Sequence, residues 1–88
     1  MRITFKLFAT LGDYLPREHG GHVRVGNELP VDVPEGTTVQ AVVDRFPMPK
    51  ALVHLVLVNG DFVLPGERAT RALRDGDVLA IWPPIAGG

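Results

Sequence analysis

The sequence contains no cysteine and no serine. Without cysteine the chain has no disulfide framework, no persulfide, no thiolate nucleophile and no thiolate metal site. Without serine the Ser-His-Asp arrangement of hydrolases is excluded outright. The phosphate-binding motifs GxxxxGK and GxGxxG are also missing. If this chain takes part in chemistry, we therefore expect it to act as a substrate or a carrier.

The chain also has a net charge close to zero and no long apolar run. Nine basic and ten acidic residues leave a formal net charge of −1, which argues against nucleic acid as a partner. The longest apolar run, residues 51–58, is interrupted by His54 and is too short to span a bilayer. Lys6 interrupts any apolar stretch near the N-terminus that could form a secretory signal. We therefore expect a cytoplasmic protein with no membrane partner.

The three histidines do not form a metal-binding pattern. His19 and His22 flank two glycines in a stretch typical of a loop, and no third ligand has a fixed spacing from them. His54 lies in a strand pattern, where a position on the less buried face is the simpler interpretation. The sequence therefore predicts no metal site.

Two further charged clusters have structural interpretations. Asp75 and Asp77 flank a single glycine, a spacing typical of a turn rather than of a general acid–base pair. Arg68, Arg71 and Arg74 recur at every third position but are interleaved with acidic residues, which indicates a solvated face. Neither cluster is predicted to be a functional site.

The first half of the chain predicts two strands and a helix. Alternation over residues 3–7 indicates a half-buried strand, and a short helical turn follows, closed by Pro16. Residues 17–27 are polar and glycine-rich, which predicts a loop or a loosely paired hairpin. Residues 29–33 alternate as a strand, and its two prolines indicate that it lies at the edge of a sheet or that the prolines occupy its ends.

The main helix is predicted from its start signal and its apolar stripe. Thr37 and Gln40 match a capping box. The apolar stripe of the helix that follows comprises Val39, Val42, Val43 and Phe46.

The second half predicts a compact sheet. Residues 52–58 are nearly all apolar, as in a strand covered on both faces, and Asn59-Gly60 predicts a tight turn into a return strand over 62–64. Residues 69–73 suggest a helical turn that packs Leu73 inward, and residues 78–82 form the last strand. One helix against a mixed sheet predicts an α+β roll.

The sequence ends in Gly87-Gly88, two residues after Pro83-Pro84, which follow the last predicted strand. Glycines add nothing to a core, and fixing each backbone costs about 1–2 kcal/mol. An end without side chains can instead enter a narrow tunnel in another enzyme. The working hypothesis is that the terminal carboxylate of Gly88 is the reactive group.

Residues 75–88, DGDVLAIWPPIAGG, resemble the C-terminus of the ubiquitin-like sulfur carriers of the MoaD/ThiS family. The strongest resemblance is to the small subunit of molybdopterin synthase, the MoaD type. Phe8-Ala9 after the first strand, Thr37-Thr38-Val39 and Val58-Asn59-Gly60 are similar to the family more loosely. Residues 17–30 are longer than in compact members of the family.

The resemblance implies a single β-grasp domain over residues 1–88, with residues 83–88 as a flexible projecting tail. It implies that the chain is not itself an enzyme and holds no bound cofactor. A ubiquitin-activating-type partner (MoeB/ThiF-like) would use ATP to adenylate Gly88, and a sulfur donor would convert it to a thiocarboxylate, 1-thioglycine. A molybdopterin synthase large subunit (MoaE-like) would then receive the tail, and sulfur would pass to a pterin precursor.

Roles for the neighbouring residues follow as expectations from this resemblance. Gly87 would permit close backbone approach in the tunnel, and Pro83 and Pro84 would hold the tail extended. The expected partner-binding residues around them are Trp82, Phe8, Ile85 and Ala86. For Trp82 and Phe8, ordinary core packing is the alternative interpretation.

Three alternatives stay open at the level of sequence. The sulfur could be destined for thiamine, a thiolated tRNA, an amino acid or a tungsten cofactor. The chain could be a protein modifier whose Gly88 is joined to a lysine of a target. It could also be a β-grasp interaction module in which the two terminal glycines are incidental.

Overall fold

A mixed five-stranded sheet forms the centre of the fold in the computed structural model, which describes residues 1–84. In chain order the elements are β1 (Arg2–Leu7), β2 (Glu18–His19), β3 (His22–Val23), β4 (Glu28–Asp32), α1 (Val39–Arg45), β5 (Leu55–Val58), β6 (Asp61–Phe62) and β7 (Val78–Trp82). Short 3-10 helices occupy Ala9–Tyr14, Lys50–Leu52 and Pro65–Glu67. The strand order is β4-β1-β7-β5-β6, in which only β1 and β7 run parallel. The predicted α+β class, a mixed sheet packed against one main helix, is confirmed.

One face of the sheet and the apolar stripe of α1 form the core. The alternating residues Ile3, Phe5 and Leu7 of β1 are buried, as the predicted strand requires. The helix stripe is also buried, and the ring of Phe46 stacks on that of Phe5 at a centroid distance of 5.0 Å. Both periodicities therefore identified the core correctly, because each aligns its apolar side chains on one face.

The helix begins one residue later than the sequence suggests, so the capping box of Thr37 and Gln40 is wrong. The N-cap is Thr38, whose Oγ1 accepts a hydrogen bond from the backbone N–H of Ala41 at 3.2 Å. Thr37 instead donates its hydroxyl to the carbonyl oxygen of Pro34 at 2.6 Å. The N–H groups of Val39 and Gln40 donate to the carbonyls of residues 71 and 68. Carbonyl groups of a distant segment thus accept the first N–H donors of the helix, and this pairing cannot be predicted from the local sequence.

The predictions for β4, β5 and the turns after β5 are confirmed in part. β4 lies at a sheet edge, as its prolines predicted. β5 begins only at Leu55, because residues 50–52 form a 3-10 helix, and alternate residues of the strand are only half-buried rather than covered on both faces. Asn59 and Gly60 form the predicted tight turn with φ values of 52° and 85°. The helical turn expected at residues 69–73 lies at 65–67 instead, although Leu73 is buried as predicted.

The glycine-rich stretch after the first 3-10 helix forms the hairpin of β2 and β3, the second of the two structures predicted for it. Arg24 ties it to the body of the domain, since its guanidinium donates to the carbonyl oxygen of Leu15 at 2.8 Å. No helix within residues 1–84 has the length and apolar character needed to cross a membrane.

Candidate functional site

Phe8 and Trp82 form a stacked aromatic pair where β1 and β7 end. Their ring centroids are 3.9 Å apart and their planes differ by 7°. The pairing of Leu7 with Ile81 in parallel strands brings the two aromatics side by side, and the N–H of Phe8 donates to the carbonyl of Ile81 at 3.1 Å. Trp82 remains 39% exposed and Phe8 is half-buried. The pair is therefore a surface feature, and the alternative of ordinary core packing for these two residues is wrong.

The backbone directly after Phe8 is strained. Ala9 has a φ of 52°, in the left-handed region that costs a non-glycine residue about 1–2 kcal/mol. This conformation turns the chain into the 3-10 helix Ala9–Tyr14 immediately after the aromatic residue. The strain is thus located beside the stacked pair, where such outliers often accompany function.

Pro83 and Pro84 continue from Trp82 at the rim of the sheet. Pro83 is buried and Pro84 is exposed, so the chain reaches the surface between them. Each proline also restricts the residue before it to extended geometry. The other predicted site residues, Ile85, Ala86, Gly87 and Gly88, lie outside the described residues.

An apolar strip on the outer face of the sheet, opposite α1, extends from the aromatic pair. Strand register places Leu55 opposite Trp82, and Leu57 opposite both Ala80 and Phe62, so these five side chains share one face. Leu55 and Leu57 are half-buried, and Phe62 is 51% exposed. Sequence reasoning missed Leu55, Leu57 and Phe62, because a wholly apolar run does not reveal which alternate residues face solvent.

The other half of the outer face is charged. Lys6 Nζ lies 2.9 Å from Glu28 Oε1, and Asp32 binds both Arg2 Nε at 3.0 Å and His22 Nε2 at 2.8 Å. The hydrogen bond from His22, and next that from Arg2, lowers the pKa of the Asp32 carboxyl below its ordinary value. These contacts leave the apolar strip flanked by a hydrophilic region of paired charges.

The three histidines have separate environments in the structure. The ring of His22 binds Asp32, while the ring of His19 tilts against Phe46 at a centroid distance of 4.8 Å. Over the described part of the chain, no three His, Asp or Glu side chains are grouped so as to hold a metal ion. His54 is exposed, on the less buried side as predicted.

Asp75 and Asp77 are turn residues, as predicted. Asp75 Oδ1 accepts from the N–H of Arg2 at 2.8 Å. Asp77 is 8% exposed, and its two oxygens accept from Asn59 Nδ2 at 2.8 Å and from the N–H of Arg74 at 2.7 Å. Because hydrogen bonds already hold both Asp77 oxygens, this carboxylate is an anchor for the β7 turn rather than a catalytic base.

The arginine stripe is only partly a solvated face. Arg71 and Arg74 are exposed, in agreement with the prediction. Arg68 is half-buried and donates through Nη2 to the carbonyl of His54 at 3.0 Å, and burial lowers the pKa of its guanidinium. Since the N–H of His54 donates to the carbonyl of Trp82 at 3.2 Å, Arg68 supports the segment beside the tail.

Comparisons with known proteins agree with this geometry. The model of the ThiS family matches residues 21–88. Among solved structures, the crystal structure of SAMP1 from Haloferax volcanii is similar at 24% sequence identity, with a TM-score of 0.66 and complete coverage of both chains. At this identity the likeness shows a shared fold, and it confirms the β-grasp arrangement. No curated protein matches the chain.

Proposed function

Because the chain belongs to the ThiS family of small sulfur carriers, we propose that it carries sulfur as a thiocarboxylate on the α-carboxyl group of Gly88. Carriers of this family are not enzymes themselves and work with adenylating enzymes of the ubiquitin-activating type. The observation that carries the proposal is a family match that extends through Gly87-Gly88.

The chemistry of the chain supports a carrier that is activated by a partner. A terminal carboxylate with a pKa near about 3.5 is ionised at neutral pH and is a poor electrophile, so it needs activation before a nucleophile can attack its carbonyl carbon. Its oxygen attacks the α-phosphorus of ATP on the partner, pyrophosphate leaves, and an acyl adenylate forms. A sulfur nucleophile then attacks the carbonyl carbon, and AMP leaves. No cysteine exists in the chain to hold the sulfur covalently anywhere else.

We assign partner binding to the aromatic pair and the residues after it. Phe8 and Trp82 offer a flat, half-exposed apolar surface, and Pro83 and Pro84 direct the chain away from it. Aromatic residues near the centre of an interface contribute strongly to affinity. The apolar strip continues this surface, and we assign the same role to Ile85 and Ala86, which follow Pro84 in the sequence.

The sulfur acceptor that we propose is a pterin precursor bound by a molybdopterin synthase large subunit. This assignment rests on the resemblance of residues 75–88, in which an aliphatic and a small residue separate the two prolines from the two glycines. It is the finer part of the proposal, and it is tested separately from thiocarboxylation.

The first experiment mixes the purified chain with an adenylating enzyme of the family, ATP and sulfide, and reads the intact mass. We expect a gain equal to one oxygen exchanged for sulfur, located at Gly88 by fragmentation. Gly88→Ala is the matched variant, which we expect to fold normally but to lose thiocarboxylation, because the added methyl group must enter the tunnel. Normal thiocarboxylation of that variant would contradict the tunnel argument.

A second experiment adds the large synthase subunit and the pterin precursor to the thiocarboxylated chain. We expect the mass of the chain to return to that of the carboxylate while sulfur enters the pterin. Retention of the sulfur in the presence of an active large subunit would reject molybdopterin synthesis and leave the carrier role intact.

A further inference from the structure

The chain has only three amino groups, and they differ sharply in availability. The N-terminal ammonium of Met1 is part-buried and donates to the carbonyl of Val33 at 2.9 Å. Lys6 is held by Glu28 at 2.9 Å, and its side chain is 30% exposed. Lys50, the other lysine in the sequence, is exposed and has no ion pair with any residue from 1 to 84. Lys50 is therefore the amine most open to an incoming acyl group.

The backbone around Lys50 is well fixed. Lys50 begins a 3-10 helix, in which the N–H of Leu52 donates to the carbonyl of Pro49 at 3.0 Å and the N–H of Val53 donates to that of Lys50 at 3.1 Å. A fixed backbone limits the positions that the ammonium group can reach. Lys50 is therefore a defined feature of the surface rather than part of a long loop.

A cavity with four apolar residues in its lining adjoins this lysine. It has a volume of about 320 Å³ and is lined by Val43, Asp44, Phe46, Pro47, Met48 and Lys50. Of its apolar lining residues, Phe46 is buried and Met48 is half-buried. An extended apolar segment without bulky groups at its end matches this lining, since apolar contacts would hold the segment and its end would meet the amine.

We propose that Lys50 is the acceptor of the activated Gly88 carboxyl group of a second copy of this chain, whose C-terminal segment from Pro84 onward occupies the cavity. The inference rests on the proposed function, because it needs an activated Gly88. The segment Pro84, Ile85 and Ala86 is apolar, and Gly87-Gly88 brings no side chain to the amine. Four residues beyond Pro84 span at most about 14 Å, which is enough to cross a cavity of this size.

The step balances without a further reactant. The neutral ε-amino nitrogen of Lys50 attacks the carbonyl carbon of the Gly88 adenylate on the second copy. A C–N bond forms, the bond from the carbonyl carbon to the AMP oxygen breaks, and AMP leaves. The proton lost by the nitrogen passes to solvent. The product is an isopeptide-linked pair of chains, formed in competition with the sulfur donor.

A chemical acyl donor tests this step without any enzyme. The chain is prepared as a Gly88 α-thioester and mixed with untreated chain, and conjugates are read by intact mass. Trypsin cuts after Arg74, so residues 75–88 remain as a branch that marks the acceptor amine. We expect the branch mainly at Lys50, a loss of conjugate of about fivefold or more in Lys50→Arg, and a normal yield in the matched control Lys6→Arg.

A second variant separates docking in the cavity from mere exposure. Met48→Gln makes the cavity lining polar without adding a charge that could pair with the Lys50 ammonium, and retained folding is checked by the fluorescence of Trp82. We expect this variant to form several-fold less conjugate, while its thioester reacts normally with added free lysine. An unchanged yield would overturn the role of the cavity.

The remaining outcomes are equally decisive. A branch found chiefly on Lys6 or Met1 would overturn the proposal. A monomer whose mass is one water below that of the free chain would also overturn it, because its tail would have joined Lys50 of the same copy. Because the thioester needs no adenylating enzyme, a failure of conjugation alongside normal thiocarboxylation rejects this inference alone. Conjugation at Lys50 in a chain that no family enzyme adenylates would instead reject the proposed carrier function.

Discussion

Replacing Asp77 with alanine should destabilise the domain without directly affecting chemistry at the C-terminus. The carboxylate is 8% exposed and accepts two hydrogen bonds, from Asn59 Nδ2 at 2.8 Å and from the N–H of Arg74 at 2.7 Å. Hydrogen bonds to a charged group contribute about 1.5–3 kcal/mol each when buried. Both of these bonds are part-buried, so we expect a loss of about 2–4 kcal/mol in the free energy of unfolding.

Part of this loss in unfolding free energy should depend on Asn59, because its side-chain amide links the Asn59-Gly60 turn to the turn before β7. Asn59 Oδ1 accepts from the N–H of Val78 at 2.8 Å, while its Nδ2 donates to Asp77. Asn59→Gly removes the side chain and tolerates the φ of 52° at this position. A double-mutant cycle of Asn59→Gly and Asp77→Ala should therefore show a coupling of about 1–2 kcal/mol.

Urea denaturation followed by the fluorescence of Trp82, the only tryptophan in the sequence, measures these differences. Asp61→Ala is the matched control, an exposed acid on β6 for which we expect a change within about 0.5 kcal/mol. A loss below about 1 kcal/mol for Asp77→Ala would refute the reasoning from its two hydrogen bonds. A stable variant that is adenylated far more slowly would restore the interpretation of Asp77 as a functional acid.

Two further predictions concern the candidate site and the charged half of the sheet. Trp82→Ala should weaken binding to the adenylating enzyme by about tenfold or more in calorimetric titration. Phe62→Ala, which alters the far end of the apolar strip, should change that affinity much less, and equal losses would contradict a binding site centred on the aromatic pair. Because the folded-state pKa of Asp32 is lowered, its stabilising contribution should be present above about pH 4 and be lost as the pH falls through that lowered value. Urea midpoints of the native chain and Asp32→Asn should therefore converge in acid, and a constant difference down to about pH 2 would reject this linkage.

Sequence reasoning located the candidate site but could not describe its surface. The Asp-Gly-Asp turn, the strand after it and the two prolines pointed to the end of β7, and the structure places the ring of Phe8 against that of Trp82 there. The stacking of Phe8 on Trp82 depends on the parallel register of β1 and β7, which joins opposite ends of the chain. No local pattern encodes such a register, so the sequence left core packing and surface exposure of these rings as alternatives.

Local periodicity determined several elements by itself. The alternation of β1, the stripe of α1 and the Asn59-Gly60 turn were predictable because each is set by neighbours within a few residues. The absence of cysteine and the paired terminal glycines likewise indicate the carboxyl end as the reactive group from sequence alone.

Contacts between distant segments decided the rest. The helix begins after Thr38 rather than Thr37 because carbonyl groups of residues 68 and 71 receive its first N–H donors. β5 has one half-exposed face because no element covers the outer side of the sheet over Leu55 and Leu57 within residues 1–84. The difference between Lys6 and Lys50 also arises only when β4 places Glu28 beside Lys6. Sequence specifies which side chains are available, whereas strand pairing across the whole chain decides which of them meet and which remain free.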